Sequence, residues 1–74
     1  MKIKIETGHY YFKILIDELP HVVIDAKEFK GFHSWRDSDT LCCIEFITRT
    51  NKIKVEYDSV EKWKAVLKEL NESL

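Results

Sequence analysis

The sequence predicts an α+β fold, in which an antiparallel β-sheet or half-open roll of five to six short strands is packed by one C-terminal α-helix. Two patterns predict it: apolar and polar residues alternate from about residue 2 to 57, and an apolar stripe of helical period runs from about 59 to 73. The chain of 74 residues is short enough to form a single domain, 1–74, and its 45% hydrophobic content is typical of a folded protein.

The first half of the chain predicts three strands. Ile3 and Ile5 alternate with charged residues, and after an interruption at Gly8 a second strand over 10–17 places Tyr10 on the same face as Phe12. Pro20 cannot donate to a sheet ladder, so residues 17–20 are predicted to turn and residues 22–24 to form the third strand. Residues 25–28 have capping-box spacing, which predicts one helical turn.

The second half predicts three further strands. Residues 29–36 form a strand whose Gly31 indicates a bulge, and residues 37–40 form a polar turn. Residues 41–49 carry the strongest alternation, and residues 53–57 alternate again after a short turn. The separation of these two segments predicts a β-hairpin.

A helix is predicted to begin after Asp58, which suits the N-cap position because Glu61 follows three residues later. Its apolar stripe has a spacing of three to four residues, which is typical of a helix face buried on a sheet. The same spacing fits a coiled-coil seam, but two heptads are short for one, so packing in the core is favoured. The stripe consists of Val60, Trp63, Val66, Leu67, Leu70 and Leu74.

Charge and hydropathy narrow the class of protein. The 12 basic and 13 acidic residues give a net charge of −1, which disfavours nucleic-acid binding because phosphate contacts require a basic excess. No apolar run reaches the roughly 20 residues of a membrane span, and the alternating N-terminus differs from a signal peptide. Cys42 and Cys43, adjacent in a strand, point to opposite faces and are poorly placed to bond each other. A cytoplasmic, reducing location is therefore expected.

From Val22 onward the order of elements is similar to the C-terminal part of pleckstrin-homology-like domains, particularly the bacterial kind. The matching segments are 22–24, 29–32, 44–48, 53–57 and the helix with Trp63, Leu67 and Leu70. The resemblance covers about two-thirds of the chain and implies a scaffold for protein contacts. The chain is shorter than a usual family member, so a reduced, half-open roll fits its length better than a complete seven-stranded barrel. Family members that bind phosphoinositides use basic residues on the first hairpin, where this chain has the acidic turn at Asp17 and Glu18.

The sequence does not favour a catalytic or a metal-binding site. His33, Ser34, Asp37 and Asp39 are residue types of a hydrolytic triad, but His33 and Ser34 point to opposite faces of a strand. The potential metal ligands have no recognised ligand spacing. They are His9, His21, His33, Cys42 and Cys43. We therefore expect no enzyme activity, no cofactor and no metal.

Two surfaces are candidates for binding. The first holds aromatic residues and Arg, types enriched in interface hot spots: Phe32, His33, Trp35 and Arg36. Phe29 and Trp35 are predicted to share one strand face and Phe32 and Arg36 the other, so the core cannot cover all the rings unless the strand bends at Gly31. The alternative surface is a basic stripe for single-stranded nucleic acid, provided that the first and last strands are neighbours. It consists of Lys2, Lys4, Lys13, Lys52 and Lys54.

The aromatic surface predicts a non-catalytic protein-binding domain, acting as an adaptor or inhibitor, whose partner is another protein or a second copy of the chain. Exposed strand edges are a second route to such contacts. Small stand-alone domains of this kind are often encoded by phages or mobile elements. This expectation comes from how common such domains are there, and no residue of the chain indicates it.

Overall fold

The computed structural model describes residues 1–74 as six antiparallel strands followed by one helix. The strands form two three-stranded sheets, in the orders β1-β2-β3 and β4-β5-β6. The α+β class, the strand number and the C-terminal helix are thus confirmed, but the strands divide into two sheets. The elements are β1 (Ile3–Thr7), β2 (Tyr11–Ile16), β3 (Leu19–Asp25), β4 (Phe29–Ser38), β5 (Leu41–Thr48), β6 (Lys52–Tyr57) and α1 (Val60–Ser73).

The β2–β3 turn is tighter than predicted. Asp17 and Glu18 have φ angles of 51° and 70°, the signature of a two-residue turn of type I′, and Pro20 lies inside β3. Proline is tolerated there because β3 is an edge strand of its sheet. His21 is the extra residue of a bulge in β3, where the pairing with β2 shifts.

Two local predictions in the first half are wrong. Tyr10 lies outside β2 with 78% of its surface exposed, so it does not share the buried face of Phe12. Residues 25–28 form a turn and not a helical one, because the Asp25 carboxylate accepts a hydrogen bond from the Lys27 amide at 2.9 Å. This short side-chain bond offers the backbone an alternative to the helix.

The predicted bulge near Gly31 is confirmed. Phe29 pairs with Thr48 and Gly31 with Ile47, so Lys30 is the extra residue. The bulge requires an unusual backbone conformation, since Gly31 has a φ of 146°. A second irregularity follows Arg36, and the strand continues to Ser38, which shortens the predicted polar turn over 37–40 to residues 39–40.

The bulge changes which aromatic rings face the core. Because one residue is inserted between them, Phe29 and Phe32 both lie on the inner face, whereas Trp35 lies on the outer face. The predicted pairing of Phe29 with Trp35 on one face is therefore wrong. Phe29 stacks on Phe12 of the first sheet, with ring centroids 4.2 Å apart and planes within 6°.

The core lies between the inner faces of the two sheets and α1. Ten buried residues form it: Phe12, Ile14, Val22, Ile24, Cys42, Ile44, Phe46, Tyr57, Val66 and Leu70. Because each sheet contributes four of them, the sheets stabilise each other across this layer.

The helix α1 packs on β1 of the first sheet and on β5 and β6 of the second. Its N-cap is Ser59, whose hydroxyl accepts from the Lys62 amide at 3.3 Å, so the prediction of Asp58 as cap is wrong by one residue. Leu70 is fully buried, which confirms core packing of the stripe, although Leu74 at its end is 58% exposed. No helix of the structure is long and apolar enough to cross a membrane.

Candidate functional site

All four predicted partner-binding residues lie on β4, but on two faces of it. Phe32 and Arg36 are on the inner face, where they pair with Phe46 and Cys42 of β5. His33 and Trp35 are on the outer face and pair with Glu45 and Cys43. The structure therefore brings the four residues together along one strand and not on one flat surface.

The second edge of β4 has no partner. At ten residues β4 is the longest strand, and it is hydrogen-bonded to β5 alone, at the end of its sheet. No backbone hydrogen bond outside the regular pairing involves residues 30–38. Between the two irregularities, from Gly31 to Arg36, every second residue of β4 therefore directs its N–H and C=O away from the protein.

The other three edges are less available. Both β1 and β6 pack against α1. The edge of β3 lacks an N–H at Pro20 and is distorted by the bulge at His21. The edge of β4 belongs to the longest strand of the fold, and its stretch over 31–36 is regular and contains no proline.

The inner-face residues of β4 differ in burial. Phe32 is half-buried and packs against the core cluster. Arg36 forms an ion pair with Asp39 in the following turn, and 42% of its side chain stays exposed. Surface pairs of this kind contribute little to stability, so the Arg36 guanidinium is free to make other contacts.

On the outer face, His33 and Trp35 form a connected polar and aromatic patch. His33 Nε2 lies 2.5 Å from Glu45 Oε1, and the rings of His33 and Trp35 are 5.4 Å apart at an angle of 48°. Trp35 is half-buried, and Cys43 opposite it is 2% exposed. Burial raises the pKa of the Cys43 thiol, which keeps it protonated and unreactive near neutral pH.

The pairing of His33 with Glu45 is one of two side-chain contacts that the sequence prediction missed. The two are 12 residues apart and meet only because β4 and β5 pair in this register. A histidine and a carboxylate can serve acid–base chemistry, but no cavity is lined by His33 and Ser34 lies on the opposite face. Asp37 and Asp39 lie beyond Arg36 and make no hydrogen bond to His33.

The potential metal ligands are not brought together. No group of three histidine, cysteine, aspartate or glutamate side chains is arranged to hold a metal ion. Cys42 faces the core and Cys43 the outer face, while His21 is bound to Tyr57 and His9 lies in the exposed β1–β2 turn.

The predicted lysine stripe is divided between the two sheets. Lys2, Lys4 and Lys13 belong to the first sheet or its start, whereas Lys52 and Lys54 belong to β6 of the second. The condition that the first and last strands be neighbours is therefore not met. The charge is also partly neutralised, since Lys4 and Glu6 are 3.2 Å apart and Lys54 and Glu56 are 3.5 Å apart.

A second contact missed by the sequence prediction links the sheets. His21 Nε2 of β3 lies 2.7 Å from the hydroxyl of Tyr57 on β6. Burial, and next the charge of Lys62, lower the pKa of His21, while burial raises the pKa of Tyr57 to about 12. The neutral imidazole therefore accepts a hydrogen bond that the phenol donates.

Comparisons with protein-family models, with curated proteins and with solved structures found no match for this chain.

Proposed function

We propose that the protein is a non-catalytic protein-binding domain, an adaptor or inhibitor, that binds an extended segment of its partner along the free edge of β4. The observation that supports this is the placement of all four predicted residues beside one unpaired strand edge. A strand added there would contact Phe32 and Arg36 on one face and His33 and Trp35 on the other. Strand addition thus uses both faces, which a flat docking surface could not.

In strand addition, the main chain and the side chains of β4 have different roles. Main-chain hydrogen bonds to the outward N–H and C=O groups supply affinity, and side chains on alternating faces supply specificity. Tryptophan and arginine are the types most often found as hot spots, so Trp35 and Arg36 are the expected anchors. The irregularities at Lys30 and after Arg36 confine the docked segment to about six residues of β4.

The test begins with selection from a displayed library of random ten-residue peptides. Calorimetry then measures the affinity of the selected peptide, and NMR records which backbone amide signals of the protein shift when the peptide is added. We expect shifts centred on residues 31–36 and a loss of affinity of about tenfold or more in Trp35→Ala, typical of a hot-spot residue. Tyr10→Ala is the matched control, because Tyr10 is an exposed aromatic that lies outside β4.

Phe32→Ala is a poor probe of binding because Phe32 packs against the core and its truncation is expected to lower stability as well. The proposal fails if no peptide is selected, if the shifts lie elsewhere, or if Tyr10→Ala and Trp35→Ala weaken binding equally.

The family resemblance and the cytoplasmic location remain predictions that accompany this proposal. Both cysteines are free thiols in the structure, which is compatible with a reducing compartment. Nothing in the structure favours the nucleic-acid alternative, because its lysines lie on two sheets and two of the five pair with glutamates.

A further inference from the structure

We infer that the segment bound by β4 is β4 of a second copy of the chain, paired antiparallel about a two-fold axis at Ser34. This inference rests on the proposed function, since it names the partner of the same edge. Pairing of this kind would join the two β4-β5-β6 sheets into one continuous sheet of six strands.

The position of the axis follows from the regular part of β4. In an antiparallel pair whose inner faces stay on one side, the two-fold axis passes beside a residue that faces its own copy. With Ser34 on the axis, His33 faces Trp35 of the second copy and Phe32 faces Arg36 of the second copy. All five residues lie within the undistorted stretch between Gly31 and Arg36.

Shifting the axis by one residue either way is less favourable. With His33 on the axis, Gly31 would face Trp35 of the second copy and Phe32 would face Ser34, so neither ring would face an aromatic or cationic partner. With Trp35 on the axis, Phe32 would face Ser38 of the second copy, and the pairing would have to cross the irregularity after Arg36.

The contacts about Ser34 are complementary on both faces. On the inner face, each exposed Arg36 guanidinium meets the half-buried Phe32 ring of the other copy, which favours a cation–π contact. On the outer face, each His33 ring meets a Trp35 ring. At the centre, the two Ser34 side chains are exposed and small enough to face each other without a clash.

The paired segment is short, so the expected association is weak and reversible. Five residues on each side bury less than the roughly 1,200 Å² of a standard interface. Sedimentation from about 10 µM to about 1 mM therefore covers the expected range of dissociation constants. Ser34→Lys places two ammonium groups across the axis and should raise the dissociation constant by about tenfold or more. Tyr10→Lys adds the same charge away from β4 and is the control.

The register is tested by cross-linking with oxidised glutathione. Directly opposite residues have Cα atoms roughly 4.5–5.5 Å apart, a distance that a disulfide spans, so the Ser34→Cys variant should form a covalent dimer. In the Ser38→Cys variant the two thiols would be eight residues apart along the pair, or roughly 26 Å, and should not cross-link. The native Cys42 and Cys43 are buried, so they should form few cross-links. The wild type, treated in the same way, measures the cross-linking that they contribute.

Concentration-dependent dimers with selective cross-linking of Ser34→Cys support the inference. A wild type that stays monomeric to about 1 mM overturns it, as does a dimer that cross-links Ser38→Cys as readily as Ser34→Cys. Neither of these results contradicts the proposed function. Strand addition by other partners is tested separately, by peptide selection on the monomeric protein.

Discussion

The hydrogen bond between Tyr57 and His21 gives the most specific prediction about stability. It connects β6 to the edge strand β3, so it links the two sheets directly through side chains. Tyr57→Phe removes only the hydroxyl and keeps the ring in the core. The His21 imidazole is then left half-buried with its acceptor nitrogen unpaired.

The expected cost is about 1 kcal/mol. A hydrogen bond between neutral groups contributes about 0.5–1.5 kcal/mol net, and the partly exposed His21 can regain some hydration from water. For a domain of this size about 1 kcal/mol corresponds to a fall in Tm of roughly 4–8 °C.

The same pair contributes to the dependence of stability on pH. His21 has a folded pKa below its usual 6.5, so the unfolded chain binds protons more readily and stability falls as the pH drops below 6.5. Tyr57 has a folded pKa of about 12 against a usual 10.0, so stability falls as the pH rises above 10. With about 1.4 kcal/mol per unit of pKa difference, the loss at the alkaline limb is at most about 3 kcal/mol.

Urea unfolding of wild type, Tyr57→Phe and His21→Gln from pH 5 to pH 11 checks these expectations. His21→Gln should flatten the acid limb, and Tyr57→Phe should reduce the alkaline limb, leaving the contribution of Cys43, whose pKa burial also raises. Tyr10→Phe is the control, since the Tyr10 hydroxyl is exposed and unbonded. Equal stability of Tyr57→Phe and wild type at pH 8, with unchanged acid and alkaline limbs, would refute the reasoning.

Three further predictions concern the elements that support β4 and the core, each checked by thermal and urea unfolding. Ser59→Ala should cost about 1 kcal/mol as the loss of an N-cap, whereas Asp58→Ala should change stability by less than about 0.5 kcal/mol. Gly31→Ala should cost about 1–2 kcal/mol through its φ of 146° alone, because nothing lies within 4 Å of an added Cβ. Leu70→Ala should cost about 2–5 kcal/mol and Leu74→Ala less than about 0.5 kcal/mol, since the first is fully buried and the second is exposed. Equal losses within either matched pair would contradict the assigned cap or burial.

The sequence predicted those features that depend on local periodicity. The helix is marked by its 3.6-residue stripe, and the β5–β6 hairpin by two alternating runs around a short turn. The choice between Asp58 and Ser59 as N-cap depends on where the chain leaves the sheet, since both residue types cap well. Local pattern alone therefore places the end of an element to within a residue or two.

Features that depend on contacts between distant segments were not predicted. Apolar and polar residues alternate in the same way whether the strands form one sheet or two. Only contacts between distant residues distinguish the two arrangements, such as that of His21 with Tyr57, 36 residues apart. Gly31 indicated a bulge, but Lys30 is the extra residue that turns Phe29 and Phe32 to the same face. The candidate site was thus found by residue type, and its geometry as a strand edge required the strand pairing.

Backbone amide hydrogen exchange along β4, in dilute monomeric protein, tests most directly whether this edge is free. An unpaired edge predicts alternation from residue 31 to 36, with amides that face β5 protected and those between them exchanging rapidly. Uniform protection of all these amides in the monomer would show that another part of the chain covers β4, and the proposed binding edge would not exist.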